Sequence, residues 1–178
     1  MKRLFLLSVA LLVCLCASAR ETKRDYRYGK KGYFGTATVG YVAPGKGVGI
    51  DVVNGYAFNP WFMLGGGLGV RYTNPKGHYH ISIPAYVHLR ANFLDRRVTP
   101  FFALNVGGGL GLGYLSSGPS LDKPDQTDAR YFFTFGEPQL GIAVRLKNGR
   151  MVDLGVGAFF EIGEGLHAGV KIGVGFTW

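Results

Sequence analysis

Past residue 20 the chain has no cysteine; Cys14 and Cys16 are its only two among 178 residues. That excludes disulfides, thiol nucleophiles and thiolate metal sites from everything downstream. No run of 18 apolar residues occurs past residue 20 either, so a bundle of transmembrane helices is excluded. Charge is scarce at 17% of residues, against ~25% in soluble globular chains. Acids are scarcer than bases, 11 against 20. There is no Gly-X-Y period, which excludes collagen. Disorder is excluded by what is abundant: 47% hydrophobic residues, with 13 Phe and 10 Tyr. Glycine, at 29 residues, is more than twice its usual ~7%. The length suits one domain, and the composition suits a glycine- and aromatic-rich β protein.

Residues 1–19, MKRLFLLSVALLVCLCASA, read as a secretory signal peptide. Lys2 and Arg3 start it, Leu4 to Cys16 form an apolar core, and Ala17-Ser18-Ala19 offers the cleavage site. The apolar stretch is too short for an anchor helix. Val13 and Leu15 precede the cysteines where a lipoprotein signal would place a small residue. Cleavage after Ala19 removes both thiols and leaves 18 bases against 11 acids, an excess of seven. Six of those bases, Arg20, Lys23, Arg24, Arg27, Lys30 and Lys31, fall in a basic periplasmic segment, residues 20–32, against Glu21 and Asp25. The segment reads first as a solvated tail and second as a contact for anionic headgroups or another acidic surface. An exported chain without a folded basic-aromatic platform has no nucleic acid among its expected partners.

From Tyr33 onward the sequence alternates. Neighbouring side chains of a strand point to opposite faces. Over Tyr79–Phe93 one face is Tyr79, Ile81, Ile83, Ala85, Val87, Leu89, Ala91 and Phe93; the other is His80, Ser82, Pro84, Tyr86, His88, Arg90 and Asn92. The same split recurs over Gly47–Phe58, Trp61–Tyr72, Val98–Tyr114, Gly136–Leu146, Met151–Ile162 and Leu166–Trp178, and less cleanly over Tyr33–Tyr41. That is eight strands of about ten residues, the length that crosses a bilayer when tilted. Strands in lipid leave no open edge, so the sheet closes. The expected fold class is all-β: an eight-stranded antiparallel up-and-down transmembrane barrel over residues 33–178.

The apolar face carries no Asp, Glu, Lys or Arg on any of these strands. The opposite face carries Asp51, Arg71, Arg90, Glu137, Arg145, Asp153, Glu161 and Lys171, four of each sign, with Gln139 and many glycines. A lipocalin-type soluble barrel would put its charges outside. Equal numbers of acids and bases suit a closed lumen, where charge is tolerated only when paired and hydrogen-bonded. We therefore expect a polar lumen network of those nine residues.

Loop lengths orient the barrel. The short connections, Asn59-Pro60, Leu94–Arg97 and Lys147–Arg150, belong on the periplasmic side. Parity selects a three-residue loop Lys147-Asn148-Gly149 with Gly149 left-handed, because a two-residue turn at Asn148-Gly149 would put Arg145 on the face of Val152. Arg145 then lies beside Met151 and diagonal to Asp153. The same logic at Asn59-Pro60-Trp61 sets Asp51 diagonal to Arg71. Both diagonals are expected ion pairs. Strands 98–115 and 130–146 exceed the length a membrane requires. The hairpin 98–146, with Tyr131, Phe132, Phe133 and Phe135, offers lumen packing or a thicker girdle first, and an edge for a protein partner second.

The stretches NPWFMLGGGLG (Asn59–Gly69), SIPAYVHLRANFLDRRVTPFFALNVGGGLG (Ser82–Gly111) and HAGVKIGVGFTW at the end resemble small outer-membrane β-barrels of the OmpA/OmpX type, particularly the Bacteroidetes-type outer-membrane β-barrel domain. The final alternation Val170, Ile172, Val174, Phe176, Trp178 looks like the signal read by the outer-membrane assembly machinery, with Phe176 and Trp178 as its aromatics. The resemblance implies insertion in a Gram-negative outer membrane, with outer-membrane lipid and that machinery as partners. It implies no activity and no cofactor.

Catalytic and metal constellations are weak. His78, His80 and Ser82 share a face, with Glu137 or Asp153 as nominal third member, but residues i and i+2 lie ~6.5 Å apart along a strand, too far for a nucleophile and its base. His78, His80 and His88 have no diagnostic ligand spacing. Gly163–Ala168 matches a loose G-x-G-x-x-A with no helix to follow it. The leading expectation is an envelope barrel with a plugged, salt-bridged lumen, structural or interacting and without catalysis. A narrow pore for small solutes comes second and a lipid-modifying enzyme third.

Overall fold

The computed structural model describes residues 31–43, 46–73, 78–116, 130–146, 149–163 and 166–178. The signal segment 1–19, most of the basic segment 20–32 and the long connection 117–129 lie outside the described residues. Eight strands follow one another: β1 Gly32–Ala43, β2 Gly47–Ala57, β3 Phe62–Thr73, β4 His78–Asn92, β5 Val98–Ser116, β6 Arg130–Arg145, β7 Met151–Ile162 and β8 Leu166–Thr177. Each pairs antiparallel with its neighbours, and β1 pairs with β8 to close the barrel. The seam runs from Thr36 opposite Thr177 to Ala43 opposite Val170. It is extended by reciprocal backbone bonds between Gly35 and Trp178 at 3.1 and 2.9 Å. This is the expected all-β, eight-stranded, up-and-down barrel.

The turns take the register that parity selected. Gly149 has φ 78° and Arg145 sits opposite Met151. Asn59 accepts from the N–H groups of Trp61 and Phe62 at 2.9 and 2.7 Å, which folds the β2–β3 connection. Asp51 is opposite Gly69, two residues from Arg71.

Outside, the wall is apolar. Leu68, Leu140, Leu154 and Ile172 each leave more than half their surface open. Among the described side chains of the strands, none that points outward is charged; Asn54 and Thr134 are the polar exceptions. Inside, the apolar part of the core is largely aromatic and small: Phe34, Tyr86, Phe101, Phe133 and Phe135 pack with Ala57, Ala103 and Ala143. Several of these rings lie on a glycine of the next strand. A Cβ at Gly67 would fall 2.3 Å from the Tyr86 ring, and one at Gly141 would fall 2.5 Å from the Phe101 ring. A narrow lumen admits a large side chain only where its neighbour has none.

The wall is not of even height. β4 keeps pace with β5, His78 pairing with Ser116, so the expected two-strand projection is a three-strand one. β6 pairs with β5 up to Arg130, whereas its pairing with β7 stops at Thr134 opposite Ile162. Tyr131 and Phe133 turn into the barrel and Phe132 turns out, 82% exposed.

An apolar belt facing acyl chains makes a definite prediction. Val156→Arg, at the middle of β7, destabilises the barrel by about 2–4 kcal/mol in urea unfolding from lipid vesicles, whereas Val156→Ile stays within about 1.5 kcal/mol of the parent.

Candidate functional site: the charged lumen

All eight predicted ionic residues are inside the barrel and buried, and Gln139 lies with them, half-buried. Glu137 of β6 is the hub, with none of its surface exposed. Its carboxylate accepts from Arg71 Nη2 at 2.5 Å, from Lys171 Nζ at 3.0 Å and from Asn105 Nδ2 at 3.4 Å, and also from Gln139 Nε2. The two cations extend the network. Lys171 donates to Asp51 at 2.6 Å, and Arg71 to Glu161 at 3.2 Å. Tyr86 adds a phenolic donor to Asp51 at 3.2 Å. The Arg71 guanidinium lies 4.7 Å from the centroid of Phe135, a cation–π contact in a desolvated setting.

A second group sits nearer the end with the short turns. Arg90 grips Asp153 with both terminal nitrogens at 2.9 Å, a bidentate fork. Its guanidinium stands 4.0 Å above Phe101. Thr177 donates to Asp153 at 3.4 Å and meets Thr36 hydroxyl to hydroxyl at 2.8 Å across the seam. Below this, Arg145 reaches out of the lumen to Asp95 and to the carbonyl of Pro60, both at 2.8 Å, tying two short turns together. Between the groups is a cavity of about 40 Å³ lined by Asp51, Tyr86, Arg90, Asp153 and Lys171 among others, room for a few waters.

Two expected partnerships are corrected. Arg145 does not pair with Asp153, nor Asp51 with Arg71, although both pairs have the expected register. The lumen is narrow enough for long side chains to span it, so the best partner lies across the barrel. Asp51 rests on Gly69, the residue opposite it, where Lys171 comes from two strands away; Arg71 crosses to two carboxylates on β6 and β7. Asp153 is satisfied by a fork that also stacks on a ring, leaving Arg145 to the turn.

Asp95 was missed because it belongs to a connection, where alternation says nothing. Asn105 carried the signal of an inward polar position on β5. Of the nominal catalytic and metal residues, His80 stacks on Tyr131 with its Nε2 at the phenol oxygen, and His88 bonds Asn105 at 2.7 Å. Ser82 is buried inward. The side chain of His78 lies outside the described residues. Among the described residues no group of three or more His, Asp or Glu side chains is placed to hold a metal ion.

The site and wall together define the class: a closed eight-stranded barrel, apolar outside and ionic within, which is the fold of small outer-membrane β-barrels. No family model matches the chain, and no curated protein matches its sequence. Solved structures do match. Neisserial surface protein A superposes with a TM-score of 0.58 at 8% identity, covering 84% of this chain and 96% of its own. The N-terminal β-barrel domain of Pseudomonas aeruginosa OprF gives 0.55 at 11%, covering 84% and 99%. The outer membrane enzyme PagL gives 0.47 at 14%, covering 81% and 97%.

The partner assignment is testable by double-mutant cycles. Arg90→Met with Asp153→Asn gives a coupling of about 1–3 kcal/mol in vesicle unfolding; Arg145→Met with Asp153→Asn gives a coupling within about 0.5 kcal/mol of zero.

Proposed function

We propose that the protein is an integral outer-membrane barrel with a plugged, salt-bridged lumen that serves the cell envelope as a structural and interaction protein, without catalysis. In this reading residues 1–19 are removed on export, residues 20–32 remain in the periplasm, and the assembly machinery reads the end of β8 at Phe176 and Trp178. The observation that carries the plug is the Glu137 hub. Four side chains converge on one carboxylate, and Arg71 and Lys171 continue from it to opposing walls. A conducting path needs that space. The apolar wall supports the membrane location, since so much exposed hydrocarbon has no other solvent that suits it. The tall β4–β6 wall, which includes hairpin 98–146, is where a protein partner would meet the barrel.

Planar bilayer recording tests the plug. Purified protein inserts without discrete conductance steps. Stepwise openings in the wild-type protein contradict the plug and favour the narrow pore. Lipid A extracted from a deletion strain keeps its acyl pattern; a changed pattern restored by the wild-type gene contradicts the absence of catalysis.

A further inference from the structure

The end of the barrel with the short turns carries a cluster of cations that the lumen does not use. Arg97 joins β6 on one side, its carbonyl accepting from the Arg145 N–H at 2.7 Å. Arg150 joins it on the other, its carbonyl accepting from the Leu146 N–H at 2.7 Å. Two strand spacings, ~10 Å, therefore separate Arg97 and Arg150, and Arg96 precedes Arg97 in the same turn. All three are exposed. None of the three side chains bonds to another described residue, whereas Asp95, the one acid of this turn, is held by Arg145 at 2.8 Å. The sector is thus a net cationic surface with no described acid free to neutralise it.

The cluster borders hydrocarbon. Phe93, Leu146 and Val152 leave 57%, 37% and 39% of their surface open on the outward faces of the same strands. Around the same end Tyr33, Phe58, Trp61 and Trp178 are open as well. Such a ring of aromatics marks the level where acyl chains meet headgroups. The arginines stand one turn beyond it, at the depth of lipid phosphates. A guanidinium fork matches phosphate oxygens in geometry as well as charge. We propose that Arg96, Arg97 and Arg150 form a headgroup site for anionic glycerophospholipid in the leaflet at the short-turn end, with the acyl chains lying along Phe93, Leu146 and Val152. The proposal rests on the reading of the outer wall as membrane-embedded.

The test uses protein purified in detergent and reconstituted into phosphatidylcholine vesicles, with a trace of phosphatidylcholine or phosphatidylglycerol spin-labelled on its chain. The motionally restricted fraction reads the lipids at the protein wall. A restricted fraction for both labels reports the embedded wall, and their ratio reports the headgroup site, so the two readings succeed or fail separately. Expected is a preference for phosphatidylglycerol of about threefold averaged over the wall. Raised salt weakens it, and Arg96→Ser/Arg97→Ser/Arg150→Ser brings it to near one. Lys46→Asn, at the opposite end, leaves it unchanged. A heat-modifiable band on gels confirms that each variant is folded. Equal restriction of both lipids by the wild-type protein overturns the proposal. So does a preference that survives the triple substitution, or one that Lys46→Asn removes equally well.

Discussion

The larger of the two polar groups inside this barrel is arranged around one buried carboxylate. Glu137 is fully enclosed, and a charge in that position is tolerable only when its lone pairs are met by donors of opposite sign and good geometry. Two cations and two amides meet them. Because Arg71 and Lys171 each hold a second carboxylate, the requirement passes outward to Glu161 and Asp51. The chain of contacts runs between β2, β3, β6, β7 and β8, so it fastens opposing walls that share no backbone bonds. The ladder closes the sheet; the network sets what fills it. Such networks contribute specificity of arrangement more than stability, since an apolar filling of equal volume is often as stable.

The second constraint is width. Eight strands leave an interior that side chains must share. Rings and glycines divide it between them: Tyr86 lies over Gly67, Phe101 over Gly141, Phe133 over Gly109 and Phe159 over Gly169. Part of the high glycine content is therefore a record of the aromatics opposite. The same narrowness lets Arg71 and Arg90 reach partners three strands away, and it lets their guanidinium faces rest on Phe135 and Phe101.

How much of this the sequence disclosed follows from what each signal measures. Period-two alternation measures face, and it assigned Asp51, Arg71, Arg90, Glu137, Arg145, Asp153, Glu161 and Lys171 to the interior. Parity across a turn measures register, and it required the left-handed Gly149 and the alignment of Arg145 with Met151. Neither measures reach across a closed sheet. The partners of Asp153 and Asp51 were therefore sought on the neighbouring strand and found elsewhere. Asp95 lies in a turn, outside any alternating run, and its bond to Arg145 had no precursor in the pattern. The length of β4 was in the pattern, since alternation over Tyr79–Phe93 comes within one residue at each end of His78–Asn92; that it rises together with β5 depends on pairing, His78 lying opposite Ser116.

The central claim is that hydrocarbon wets the apolar face while the ionic face is enclosed. With both cysteines in the first 16 residues, single cysteines introduced downstream of the signal segment carry a spin label without interference. Paramagnetic accessibility in vesicles, comparing oxygen with a water-soluble nickel complex, reads each label's surroundings. Labels at Leu140, Leu154 and Ile172 will collide with oxygen and not with nickel, and labels at Ala103 and Ala143 will collide with neither. Nickel access at the first three positions, with oxygen reaching the other two, would contradict it.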